Sequence, residues 1–205
     1  MTTSMTTSRL CVETRPAQVP SARLSVAKAA AVLDVSLSVV RKGLAGGTIA
    51  DLDMVTISQL ATREVLTRVE VDGQPVPVLR PDLASPEDGS ERRFAGWRID
   101  ASLEETTLAM DRWWTPPGKS LILGAGGYLV AVGSVVCACF MLRSTTLEHN
   151  DEGRIRYDAQ LAGVLRGSGE KVVDPQVGPV WSDLAHLTLG RRVLGGEGGN
   201  FTRIG

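Results

Sequence analysis

Between Lys119 and Arg143 runs SLILGAGGYLVAVGSVVCACFML, 23 residues with no charge, no side-chain amide and no proline. Nothing else in the chain resembles it, and any fold must keep this stretch out of water. Two arrangements do so. As one helix rising about 1.5 Å per residue it extends roughly 35 Å, enough for a hydrocarbon core of about 30 Å. Against the helix stand Gly124, Gly126, Gly127 and Gly133, each costing about 1 kcal/mol relative to alanine, although membranes tolerate glycine better. The β-branched Val130, Val132, Val135 and Val136 favour strands. Tyr128 to Val132 and Val135 to Leu142 then form a hairpin closing on Gly133-Ser134, with glycine supplying a positive φ at the first turn position. Apolar on both faces, these strands belong between covering layers. The hairpin is the better supported reading, and the membrane helix stays open beside it.

At 205 residues the chain is long enough for one or two domains with a sizeable core. Its 22 basic and 23 acidic side chains nearly cancel, so no global field draws it to nucleic acid or anionic lipid. Lys28, Lys42, Lys119 and Lys171 are the only lysines, and with abundant alanine, glycine and valine this arginine bias points to a high-GC bacterium or its phage. Three cysteines, an odd number, and an opening MTTSMTTSRL without an apolar segment point to a reducing, cytoplasmic setting without disulfides.

Residues 1–22 read as a tail, held extended by Pro16 and Pro20. Ser25 is placed to cap a helix over 26–33 and Ser36 a second over 37–45, which stops at Gly46-Gly47. Thr56 and Gln59 fit a capping box opening a third helix toward Leu66. Asp72-Gly73 marks a hairpin turn within 69–79, and Pro75 and Pro77 confine that stretch to an edge or an extended arm. The polar 81–93 reads as a linker. Beyond it, Phe94 to Ile99 reads as a short strand. Ser102 and Glu105 box a helix reaching Trp114, and Thr115-Pro-Pro-Gly118 ends it. Residues 145–153 read as a charged loop, 154–161 as an alternating strand, 167–178 as a loop, and Ser182 as the cap of a last short helix toward Leu189.

The stretch Leu24 to Leu66 resembles the small winged helix-turn-helix of excisionase-type and MerR-type DNA-binding proteins. The resemblance rests on Val26-Ala-Lys-Ala-Ala-Ala-Val-Leu33, Asp34-Val35-Ser36, Val39 and Gly47-Thr48-Ile49, about a fifth of the chain. It implies that the second helix enters the major groove, with Ser36 and Ser38 donating to phosphate or a base edge and Arg41 and Lys42 supplying charge. The chain departs from the family in its wing, which is usually basic and here holds Asp51 and Asp53. Weak affinity, and a need for dimerisation or a partner protein, follow.

The other motifs read as structure. Trp113 and Trp114 are expected to cover the core. Cys137 and Cys139, two apart, are expected on one face of a strand as small hydrophobes. His149 and His186 lack metal-ligand spacing. Gly124-Ala-Gly-Gly127 lacks the Lys-Ser/Thr of a phosphate loop. No catalytic pair or triad, metal set or cofactor motif appears, so the chain does not read as an enzyme.

The expected fold is α+β: a winged helix-turn-helix over 23–80, the linker, and a mixed α/β domain over 94–205 around the central apolar hairpin. The expected function is a transcriptional regulator or recombination accessory factor whose partner is double-stranded DNA, as a monomer or homodimer. Two alternatives stay beside it. One is an interaction protein that binds and inhibits a host protein; the other is a regulator tethered by 120–142 as a transmembrane helix.

Overall fold

In a computed structural model, which describes residues 22–87, 93–111, 119–167, 169–194, 201, 202 and 204, three short helices come first. They are α1 (Val26–Leu33), α2 (Leu37–Ala45) and α3 (Met54–Ala61). The serines cap as their positions demand: Ser25 Oγ accepts from Lys28 N at 3.2 Å, and Ser36 Oγ from Val39 N at 3.4 Å. The third helix starts three residues earlier than the Thr56–Gln59 box predicts. Asp53 is the true cap, its Oδ1 accepting from Val55 N at 2.7 Å and Thr56 N at 3.0 Å while Thr56 Oγ1 donates to its Oδ2 at 2.7 Å. A carboxylate outcompetes a hydroxyl at this position because it also complements the helix dipole.

Among the described residues no strand pair forms between α2 and α3, where Asp53 makes only an isolated bridge to Arg23. Asp51 and Asp53, expected in a wing, serve the α3 cap instead: Asp53 N donates to Asp51 Oδ1 at 2.9 Å. The first hairpin follows α3, as β1 (Glu70–Val71) and β2 (Gln74–Pro75), turning at Asp72 and Gly73 with φ of 51° and 73°.

Six further strands build one sheet: β3 (Val78–Leu79), β6 (Gly127–Val132), β7 (Val135–His149), β8 (Ile155–Leu165), β9 (Lys171–Val173) and β10 (Phe201–Thr202). Its order is β10-β3-β6-β7-β8-β9, with β3 parallel to β6 and every other pair antiparallel. Thus Val78-Leu79, expected at an edge, lies inside the sheet: Pro77 sits just before the paired residues and spends only its carbonyl, which accepts from Leu129 N at 2.9 Å. The predicted linker is structured as well, in a separate two-stranded sheet. Its β4 (Ser85–Pro86) pairs with β5 (Phe94–Ala95), and Trp97 N donates to Asp82 O at 2.8 Å.

The apolar run divides into α5 (Lys119–Ala125) and the β6–β7 hairpin, which occupies the centre of the sheet. No helix of the described residues is long and apolar enough to cross a membrane, and 120–142 is not the single helix that the transmembrane alternative requires. At the turn both Gly133 and Ser134 have positive φ, 59° and 67°. This is the type I′ requirement at both central positions rather than at the glycine alone. Side chains alternate between two packed faces. Tyr128, Val130 and Val132 join a cluster with Leu33, Val40, Ile57, Trp97 and Met110. Leu129 and Ala131 join Val71, Val76 and the residues of α6 (Pro179–Thr188), among them Trp181 and Ala185. The sheet therefore separates the three-helix unit and α4 (Leu103–Met110) from α6 and the first hairpin.

Cys137 and Cys139 do not share a face. Val130 pairs with Ala138 while Ala131 pairs with Val136, so Cys137 is the extra residue of a β-bulge. The bulge turns Cys137 toward the helical unit and Cys139 toward α6. Burial pushes both thiols up, Cys137 far above its ordinary value.

Further downstream, β7 continues through the expected loop 145–153 to His149, the 167–178 stretch contains β9, and Ser182 lies inside α6 rather than capping it. The capping box of α4 is present, with Ser102 and Glu105 bonded reciprocally at 2.9 and 3.0 Å. The tail 1–21, residues 88–92, Trp113-Trp114, the Pro116-Pro117 stop and the Gly195–Gly199 stretch lie outside the described residues.

Candidate functional site

The site predicted from sequence centres on α2, and what positions α2 is a close backbone approach. A Cβ added to Gly133 at the hairpin tip would stand 2.2 Å from Gly43 Cα, so only paired glycines let helix and turn meet this closely. Around this point Thr48 Oγ1 donates to Val132 O at 2.9 Å and Trp97 Nε1 to Gly46 O at 3.1 Å. The C-terminal half of α2 is thereby fixed to the sheet, and its N-terminal half projects.

Arg192, 4 % exposed, fastens the other two helices. Its Nη2 donates to Leu33 O and its Nη1 to Ala61 O at 3.3 Å, the last carbonyls of α1 and α3. Helix C-termini carry orphan carbonyls and partial negative charge, and one guanidinium satisfies both ends. Burial pushes Arg192 down and Asp34 opposes that shift, but an arginine stays charged across the physiological range. Sequence reasoning missed this residue because its two partners lie 159 and 131 positions away.

Of the four predicted DNA-contact residues, Ser36 caps α2 and Ser38, Arg41 and Lys42 lie on it. Leu37, Ser38, Arg41 and Ala45 are exposed, spaced so that they form one helical stripe. Arg41 makes no ion pair among the described residues. Ser36, Ser38 and Lys42 face a cleft of about 700 Å³ between α2 and the sheet. There Ser36 Oγ and Ser38 Oγ lie 2.8 Å apart, and Lys42 Nζ is 3.2 Å from the fully exposed Asp82 carboxylate.

The other side of that cleft is built from Arg80, just past β3, and from Ala131, Gly133, Ser134 and Val193. Arg80 Nε donates to Thr202 Oγ1 at 3.4 Å, and burial pushes the guanidinium down from its ordinary value. The Ser134 hydroxyl is buried and has no hydrogen-bond partner among the described residues. Sequence reasoning placed Ser134 only in the hairpin turn and did not single out Arg80. Arg80 sits in an unremarkable Leu-Arg-Pro, and it reaches α2 only because β3 runs beside β6.

A second polar cluster lies between α4 and the β7–β8 ribbon. Asp111, 4 % exposed, pairs with Arg156 at 3.4 Å, and Arg156 with Glu148 at 3.1 Å. Burial acts to lower Arg156, but the two carboxylates outweigh it and hold it above its ordinary value. Beside it Tyr128 OH donates to Met110 O at 2.8 Å, with its ring stacked on Phe140 at 5.1 Å. These groups bind one another and form a structural fastening. Among the described residues no group of three His, Cys, Asp or Glu side chains is placed to hold a metal ion.

No family model, curated protein or solved structure matches this chain.

Proposed function

We propose that the chain is a double-stranded-DNA-binding protein, a transcriptional regulator or recombination accessory factor, that presents α2 to the major groove. The observation behind this reading is the way α2 is held. A three-residue turn, Asp34-Val35-Ser36, links it to α1, its N-terminal stripe is exposed, and its C-terminal half is fixed to the sheet. A helix so held offers Ser38 and Arg41 to base edges and phosphate, with Ser36 and Lys42 at its flank. The acids expected to repel phosphate, Asp51 and Asp53, are engaged at the α3 cap.

The electrostatic supply is small. Arg41 and Lys42 are the basic residues of α2, and Lys42 already has Asp82 beside it. Two phosphates neutralised give a salt slope near −2, so the complex is weak unless a second chain adds contacts. A mobility shift of a random-sequence duplex at low salt and micromolar protein tests the reading. Retardation that Arg41→Ala with Lys42→Ala abolishes supports it; no retardation of any duplex leaves the host-protein inhibitor as the surviving alternative.

A further inference from the structure

We propose that Arg63, Lys171 and Arg191 form a clamp for a backbone phosphate of duplex DNA, a contact additional to that of α2. The clamp rests on the DNA-binding reading and deepens it. Its three cations come from separate parts of the chain: Arg63 follows α3, Lys171 opens β9 and Arg191 follows α6. They gather around Gly190. A Cβ built there would lie 3.9 Å from Arg63 Nη1 and 3.9 Å from Lys171 Cε, so the two side chains stand no further apart than twice that distance. One phosphate, taking a charge-assisted bond of about 2.7–2.9 Å from each side, spans such a gap.

Backbone carbonyls hold two of the cations in place and leave donors over. Arg63 Nη1 donates to Gly190 O at 3.2 Å, and Lys171 Nζ to His186 O at 2.8 Å. Each spends one N–H there, out of five on a guanidinium and three on an ammonium. Both residues are exposed, and neither makes an ion pair among the described residues. Glu64 lies 2.7 Å from Arg191 and offsets that cation. Glu170 precedes Lys171 in the chain, but the charges that act on the ammonium are those of Arg191 and Arg63, which with burial push it below its ordinary value. The C-terminal end of α6 adds about half a negative charge. Against three cations, Glu64 and the helix end leave an excess that the single charge of a backbone phosphate neutralises, and an anion relieves the repulsion among the cations.

The clamp and α2 belong to the same end of the sheet. Gly133 meets Gly43 of α2, while Val193 N donates to Ser134 O at 2.8 Å and Gly190 N to Val136 O at 2.9 Å. From Gly133 to Val136 an extended chain covers roughly 10 Å. The segment carrying the clamp is therefore anchored beside the point where α2 is anchored.

The test is fluorescence anisotropy of the full chain on a labelled duplex across a salt series, beside a titration of labelled poly-L-glutamate. Arg63→Gln with Lys171→Gln should weaken duplex binding about tenfold at low salt, alike for unrelated sequences, and make the salt slope shallower by about one. Glu64→Gln frees Arg191 from its carboxylate and should tighten binding about threefold. Melting curves check that the variants fold, and where the double variant does not, Glu64→Gln decides: unchanged affinity overturns the clamp. Arg41→Ala with Lys42→Ala, read in the same assay, separates the two claims. A loss there with the folded clamp variant unchanged overturns the clamp and keeps α2; the reverse keeps the clamp and overturns α2. Poly-L-glutamate binding that the clamp variant abolishes, with duplex binding unchanged, also overturns the proposal and makes the cluster a seat for an acidic protein. Failure of the unaltered chain to bind any duplex overturns clamp and α2 together.

Discussion

Replacing Arg192 by methionine tests how the three-helix unit is held to the rest of the fold. Methionine keeps an unbranched stem of similar length and removes both donors, so the last carbonyls of α1 and α3 lose the partners given by Arg192 Nη2 and Nη1. Each hydrogen bond from a charged donor contributes about 1.5–3 kcal/mol, roughly 3–6 kcal/mol for two. Part of this is returned, because a buried charge no longer needs solvating and the Nε, which has no partner among the described residues, disappears. A net loss of about 2–4 kcal/mol remains. In a chain of this size 1 kcal/mol moves Tm by about 2–4 °C, so thermal unfolding followed by circular dichroism should fall by roughly 4–16 °C. Hydrogen exchange should locate the loss in α1 and α3 first. Arg192→Lys, keeping the charge but not the fork, should recover only part of it. A Met variant that melts within about 2 °C of wild type, with exchange in α1 and α3 unchanged, refutes the fastening.

Three further outcomes follow from the same geometry. Gly133→Ala forces a side chain into a positive φ and against Gly43, which should cost about 2–4 kcal/mol in urea unfolding and loosen α2 from the hairpin. Hydrogen bonds from Thr56, side chain and then backbone, hold Asp53 down at about 2 against an ordinary 3.8. Its contribution is therefore complete above about pH 4 and lost as pH falls through 2, and Asp53→Asn should flatten urea midpoints across that window. Cys137 and Cys139 are fully buried, so mapping by mass spectrometry should find both unmodified by iodoacetamide in the native state and both alkylated in urea.

Local chemistry made much of this fold legible. Ser25, Ser36 and Ser102 announce helices that begin one residue later, because a cap acts within one turn of itself. The two-residue Gly133-Ser134 turn between β-branched runs likewise fixes its own hairpin. What stayed hidden depends on distant partners. Asp53 won the α3 cap from Thr56 where the pre-α3 chain also bridges back to Arg23. The Cys137 bulge inverted an alternation that counting residues predicts. Pro75 and Pro77 made 74–79 look peripheral, yet Val78-Leu79 entered the sheet beside β6. The candidate site divides the same way: Ser36, Ser38, Arg41 and Lys42 could be named from one helix, while Arg80, Ser134 and Arg192 reach that helix only through the folded sheet.

The most direct measurement of the DNA-binding reading is the salt dependence of duplex affinity, read by fluorescence anisotropy on a sequence selected from a random pool. The account predicts a linear fall of log affinity with log salt, and a slope shallower by about one for Arg41→Ala and by about two when Lys42→Ala is added. Affinity and slope that stay unchanged in the double variant would contradict it.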